Sequence, residues 1–180
     1  MIRASNLEGY KIPGETERLI ANLFADDTSA FLKATDCFDD LQGILEKWCL
    51  ASGAKFNLMK TNIIPIGTED YCKEVITSRK TSPNQVPLPA NLHIAKEGEA
   101  VRILGAWFGN KISSEQVWTP VLEKIDTNLA RWAKSGPTME GRRHIVQMVV
   151  GGMTQYLTVV QGMPETIEKR LTKRINTFLW

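Results

Sequence analysis

The stretch that most limits what this chain can become is Leu19-Ile20-Ala21-Asn22-Leu23-Phe24-Ala25-Asp26-Asp27-Thr28-Ser29-Ala30-Phe31-Leu32. Two apolar runs, each the length of a short strand, flank a small-residue turn that carries two adjacent carboxylates. Runs this short, bounded by turn formers, predict a β-hairpin rather than a helix. A hairpin here puts Asp26 and Asp27 at its tip, where both side chains can point away from a core. Two like charges held that close repel one another until a cation arrives. A hard divalent ion such as Mg²⁺ relieves the repulsion and keeps coordination sites for water and phosphate. Such a pair suits phosphoryl or nucleotidyl transfer, in which two ions roughly 3.5–4 Å apart clamp the attacking and leaving oxygens. An Asp-Asp pair in a loop is also an ordinary solvated turn, because Asp is favoured there for local hydrogen bonding. The rest of the chain has to decide between them.

Asp36 to Gly53 has a helical period, with Leu41, Ile44, Leu45, Trp48 and Cys49 on one face. Thr35 or Asp36 is placed to cap it, Asp39 and Asp40 favour its positive end, and Gly53 suits its C-cap. This helix is expected across the back of the sheet that carries the hairpin. Upstream, Met1 to Tyr10 reads as the end of a helix stopping near Gly9, followed by a polar turn over Lys11 to Thr16. Downstream come Gly53-Ala54-Lys55-Phe56-Asn57-Leu58-Met59-Lys60-Thr61 and a short strand, Asn62 to Gly67, which Pro65 confines to an edge or bulge. Residues 68–91 read as a Pro-rich insertion with a short helix over Asp70 to Lys80. Leu92 to Lys96 and Val101 to Ala106 flank Glu97-Gly98-Glu99, which predicts a second hairpin.

From Ser113 onward the pattern is helical. Thr119-Pro120 suits an N-cap and first helical position, with a start near Ser114 as the alternative. Three stripes follow: Leu122, Ile125, Leu129 and Trp132; Ile145, Met148, Val149, Tyr156 and Val159; and Ile167, Leu171, Ile175, Phe178 and Leu179. Short Gly/Pro turns between them predict a three-helix bundle. Net charge is only +2, so composition demands no polyanionic partner. Its distribution is less even. Residues 1–118 carry 13 basic against 15 acidic side chains, and residues 119–180 carry 9 against 5.

Cys37, Cys49 and Cys72 lie in no C-x-x-C spacing, which argues against a zinc site, a disulfide framework or a disulfide-linked partner. With only His93 and His144, a histidine-based cluster is not expected. No apolar run reaches the roughly 18 residues of a membrane span, and no secretory signal is evident, so an intracellular location, nuclear or cytoplasmic, is expected.

Phe24-Ala25-Asp26-Asp27 on its hairpin resembles the aromatic-Ala-Asp-Asp box (motif C) of reverse transcriptases, above all those of non-LTR, LINE-type retrotransposons. The helix, the Gly-Ala-Lys-Phe-Asn loop, Lys60-Thr61 and the strand after them resemble motif D. Arg102-Ile103-Leu104-Gly105-Ala106-Trp107 resembles motif E, the primer-grip hairpin, and the helical end resembles the thumb. The boxes occur in the family's order over nearly the whole chain.

The resemblance implies an α+β fold: a partial polymerase palm over 1–112, then a helical thumb over 113–180. It implies Asp26 and Asp27 as catalytic Mg²⁺ ligands and Lys60 beside the phosphates of the incoming nucleotide. Leu104, Gly105 and Ala106 become the primer grip, and an RNA template, a DNA primer and deoxynucleotides the partners. Arg142, Arg143, Lys169, Arg170, Lys173 and Arg174 are the basic residues expected towards a phosphate backbone. Such residues are also commonly solvated helix faces. The upstream strand with a third carboxylate (motif A), the Gln-Gly box (motif B) and the fingers have no counterpart in these residues. The chain is therefore expected to be a fragment, cut short at both ends. Two-metal chemistry needs a complete first shell, so no useful DNA synthesis is expected from this polypeptide alone. The alternatives are a non-catalytic remnant that binds nucleic acid, and an unrelated hydrolase recruiting Asp36, Asp39 or Asp40 beside the Asp pair.

Overall fold

The computed structural model describes residues 1–180 and is a mixed α+β structure. The chain divides into two compact units, Met1–Ala95 and Lys96–Trp180. All its strands are short, and each pairs with a single partner.

In the first unit, β1 (Tyr10–Lys11) pairs antiparallel with β2 (Arg18–Leu19), and β3 (Ala21–Phe24) with β4 (Asp27–Ala30). The expected hairpin therefore forms, with Phe24 opposite Asp27 and Ala21 opposite Ala30. The helix expected before Gly9 does not form. A single 3-10 turn, Ile2–Ala4, gives way to extended chain that buries Leu7.

Helix α1 (Phe38–Ser52) ends at Gly53 as predicted. Its start differs, because Cys37 occupies the N-cap position without a side-chain bond and Asp36 faces elsewhere. Leu41 packs with Leu7 and Ile20, flanked by Leu32, Ile44 and Leu45. Ile20 and Leu32 lie just outside β3 and β4, so the helix covers the base of the hairpin rather than its back. Further along α1, Trp48 leans on Phe56 with ring centroids 5.4 Å apart.

Strands β5 (Asn62–Ile63) and β6 (His93–Ile94) pair in parallel, and the Ala95 N–H extends the ladder to the Ile63 carbonyl at 2.8 Å. Parallel neighbours need a long crossover, and here it is α2 (Glu69–Ser78) with the Pro-rich loop. That loop is far from structureless. Arg79 ends α2 in the left-handed conformation and donates to the carbonyls of Leu88, Pro89 and Leu92 at 3.2, 2.6 and 2.7 Å. Val75, Leu88, Leu92 and Ile94, from α2 to β6, are buried.

In the second unit, β7 (Val101–Ile103) pairs antiparallel with β8 (Ala106–Phe108). The hairpin expected around Glu97-Gly98-Glu99 is thus displaced, because Leu92 to Ala95 is taken by β5 and the turn falls at Leu104-Gly105. Helix α3 (Ser114–Ala133) takes the earlier of the two expected starts. Ser113 and Gln116 form a reciprocal capping box, which leaves Pro120 inside the helix. An interior proline costs about 3 kcal/mol, and the burial of Val117, Trp118, Leu122, Ile125 and Leu129 on α3 offsets it.

After α3, a rod runs through α4 (Met139–Val146), a π-helical turn over Gln147–Gly151 and α5 (Gly152–Gln161). Helix α6 (Glu165–Leu179) closes a three-helix bundle. Its core is made by Trp118, Leu122, Ile125, Ile145, Val149, Leu157, Ile167 and Leu171. No helix is long and apolar enough to cross a membrane.

Candidate nucleic-acid and metal site

The turn that carries the acidic pair is built from two residues, Ala25 and Asp26, between Phe24 and Asp27. Ala25 has φ 52°, the positive sign that such hairpin loops demand of their first position. A side chain held there costs about 1–2 kcal/mol. Asp26 occupies the loop and Asp27 opens β4, and both are exposed. Neither carboxylate makes an ion pair or a hydrogen bond within the chain. The flanking Leu23 and Phe24 are 67% and 65% exposed, so the knuckle projects with no apolar wall around it.

Two adjacent free carboxylates can offer oxygens to one hydrated Mg²⁺. They do not make a closed site. No group of three or more Asp, Glu, His or Cys side chains converges anywhere in the chain. Asp36, the nearest candidate for a third acid, is spent. It is buried, and its two oxygens accept the N–H groups of Glu8, Gly9 and Lys33 at 2.7, 2.9 and 2.8 Å. Asp39 and Asp40 sit in the first turn of α1. This donor set does not fit a paired-ion centre.

Lys60 ends a short 3-10 turn, Leu58–Lys60, capped by the Asn57 side chain, which accepts from the Met59 N–H at 3.1 Å. The Lys60 side chain is exposed and contacts neither aspartate.

Leu104 and Gly105 form the tight turn between β7 and β8, with φ of 50° and 86°, and Ala106 begins β8. Positive φ at both loop positions is the sign of the hairpin turn whose twist matches the strands. Helix α5 grips this turn at two points. The Tyr156 hydroxyl donates to the Leu104 carbonyl at 2.6 Å. The Gln161 amide accepts from the Trp107 N–H at 3.1 Å and donates to the Trp107 carbonyl at 2.8 Å. A Cβ on Gly105 would lie 3.1 Å from the Tyr156 ring. These contacts place the hairpin in the same compact unit as the helices.

The six basic residues divide by partner. Arg142 turns inward, donating to the carbonyls of Pro137, Phe178 and Leu179 at 3.3, 3.0 and 3.2 Å, with its guanidinium 6.0 Å from the Phe178 ring centre. Arg143 lies 3.7 Å from Glu140, and Lys169 pairs with Glu165 at 2.6 Å, both on exposed helix faces. Arg170 reaches Glu115 at 2.8 Å, and Arg174 reaches Asp126 at 2.7 Å. Lys173 has no partner. Arg170, Lys173, Arg174 and Thr177 line an open groove of about 510 Å³ between α3 and α6. The groove and the acidic knuckle lie in different units.

Compared with family models, curated proteins and solved structures, the chain matches none.

Tyr156, Gln161, Glu115 and Asp126 were not visible as site residues in the sequence. Tyr156 reads as one more member of an apolar stripe, and Gln161 as a polar residue before Gly162. The two acids read as solvent-facing positions of an amphipathic helix. Nothing local to any of them announces a partner roughly 50 positions away.

Proposed function

We propose that these 180 residues are a palm-and-thumb portion of a LINE-type, non-LTR reverse transcriptase, and that alone they bind nucleic acid without extending a primer. RNA-directed DNA polymerisation with Mg²⁺ belongs to the parent enzyme. The observation that carries this reading is a sequence of turns. An aromatic-Ala-Asp-Asp box makes a two-residue hairpin tip, an Ile-Leu-Gly box makes a second one, and a basic three-helix bundle follows. Asp26 and Asp27 would hold the metal in the parent enzyme, and Leu104 to Ala106 would lie against its primer. Here the acidic pair lacks its third carboxylate, so the expected chemistry is binding rather than transfer. A reducing nuclear or cytoplasmic setting suits the three free cysteines.

The test offers the 180-residue chain an RNA template annealed to a labelled DNA primer, with Mg²⁺ and deoxynucleotides. No incorporation is expected. Affinity for the hybrid should fall linearly in log–log form with salt, by about 0.9 per phosphate contacted. Robust primer extension would refute the incompetence of the chain. Binding that ignores salt would remove the nucleic-acid reading.

A further inference from the structure

The groove between α3 and α6 has an arrangement that the functional reading does not require. Arg170, Lys173, Arg174 and Thr177 follow one another at i, i+3, i+4 and i+7, which is one face of a helix. They face Asp126, Leu129, Ala130 and Ala133 on α3. Two of the groove's three cations are held by acids of the opposite helix: Arg174 by Asp126 at 2.7 Å and Arg170 by Glu115 at 2.8 Å. These pairs span 48 and 55 positions, so they tie separate helices rather than neighbouring turns of one. The Arg174 side chain is 26% exposed and Asp126 47%, so that pair is reachable from solvent. Exposed ion pairs contribute little to stability. Little is therefore lost by exchanging their partners.

Building on the nucleic-acid reading, we propose that Asp126 and Glu115 are built-in phosphate mimics. In the free protein they occupy the guanidinium groups of Arg174 and Arg170, and a phosphodiester backbone entering the groove displaces them. Carboxylate and phosphate oxygens make the same charge-assisted bonds to a guanidinium fork, so the exchange needs no new geometry on α6. Lys173, already free, makes the first contact. The acids thus set a threshold, and only a ligand with several phosphates in register displaces both.

The experiment is fluorescence anisotropy with a labelled RNA–DNA hybrid over a salt series, using the full chain and the variants Asp126→Asn, Glu115→Gln and Glu123→Gln. Glu123 is an exposed acid on α3 whose side chain holds no cation, so its variant matches the change in net charge. Asp126→Asn is expected to bind several-fold tighter than the parent chain at each salt concentration, with a similar salt slope, because Arg174 meets the same phosphate in both complexes. Glu115→Gln should move the same way, and it serves if Asp126→Asn loses helical circular dichroism. Glu123→Gln should shift affinity by less than twofold. If the Asp126 and Glu115 variants bind no tighter than Glu123→Gln, the mimicry is refuted while nucleic-acid binding stands. If the parent chain itself shows no salt-dependent binding, the underlying reading fails first.

Discussion

The Asp36 carboxylate accepts the main-chain N–H of Gly9 at 2.9 Å, joining positions 27 residues apart. The same carboxylate holds Glu8 and Lys33 by their amides, and Lys33 in turn reaches Glu8 at 2.5 Å. Gln85 donates to the main-chain carbonyls of Thr35 and Asp36, both at 2.9 Å. One buried acid thus gathers the N-terminal segment, the end of the hairpin and the Pro-rich loop.

That arrangement makes the first unit acid-sensitive. Burial pushes the Asp36 carboxyl up, but the three N–H donors and the Lys33 ammonium outweigh it and hold the carboxyl below its ordinary range. A carboxyl depressed by folding adds stability that is complete above its unfolded value. That stability is lost as pH falls through the folded one. Urea midpoints measured between pH 7 and pH 2 should therefore fall at the acid end, and exchange of the Glu8 and Gly9 amides should speed up with them. Asp36→Ala leaves three donors without an acceptor and should cost on the order of 3 kcal/mol at pH 7. It should also flatten the acid limb. An unchanged limb in that variant would show that another group carries it.

Gly9 is the second point where the same junction breaks. Its φ is +63°, and a Cβ built there would stand 2.6 Å from the Leu19 carbonyl oxygen and 2.9 Å from Ile20 Cγ1. The oxygen is main chain and cannot swing aside. Gly9→Ala is expected to destabilise the first unit by about 2–3 kcal/mol, combining the left-handed backbone with the clash. Hydrogen exchange over β1 and β2 should rise first. A variant as stable as the parent would mean that the strand pair shifts freely.

What was readable in the sequence was whatever short-range chemistry decides. The hairpin around Ala25 and Asp26 was readable because two residues of turn separate runs that only strands can use. The first and last of the terminal helices were readable because Leu122, Ile125 and Leu129, then Ile167 and Leu171, keep a helical period. Of the middle stripe Ile145 and Val149 are buried, but Met148, Tyr156 and Val159 are exposed, because the π-helical turn over Gln147–Gly151 breaks the period. What was not readable rests on partners distant in sequence. Ile63 and Ile94 form a parallel pair across a crossover, and no local pattern separates that from the expected hairpin with Val101 to Ala106. Asp36 has the composition and position of an N-cap, and three remote amides take it instead. The acidic knuckle was placed correctly. Its surroundings depend on which other carboxylates the fold brings near, and a sequence without fixed distances does not give that.

The grip of α5 on the second hairpin can be tested through Gln161. Replacing it with Leu leaves the Trp107 N–H and carbonyl without their partners, at a cost of about 1–2 kcal/mol. Tyr156→Phe removes a single bond to the Leu104 carbonyl and should cost about 1 kcal/mol. Gly105→Ala adds a strained backbone and a contact 3.1 Å from the Tyr156 ring, so it should match or exceed the Gln161 variant. Amide exchange at Trp107 and Phe108 should rise in all three while the core of the bundle stays protected. Equal loss of protection throughout the bundle would mean that hairpin and helices unfold as one unit.

Arg142 and Lys173 separate a structural cation from one that the proposed function turns towards phosphate. Arg142 satisfies the carbonyls of Phe178 and Leu179, two of the last acceptors of α6, which have no partner within the helix. A cation at that end also suits the helix dipole. Arg142→Ala is therefore expected to destabilise the bundle by about 2 kcal/mol, with a fall in melting temperature and fraying of the last turn of α6. Its salt slope for hybrid binding should remain that of the parent. Lys173→Gln should do the reverse, leaving the melt within a degree or two and reducing the slope by about 0.9, the loss of one phosphate contact. If instead Arg142→Ala lowers the slope with the melt unchanged, its guanidinium faces the nucleic acid in the complex. The assignment of the two residues would then be exchanged.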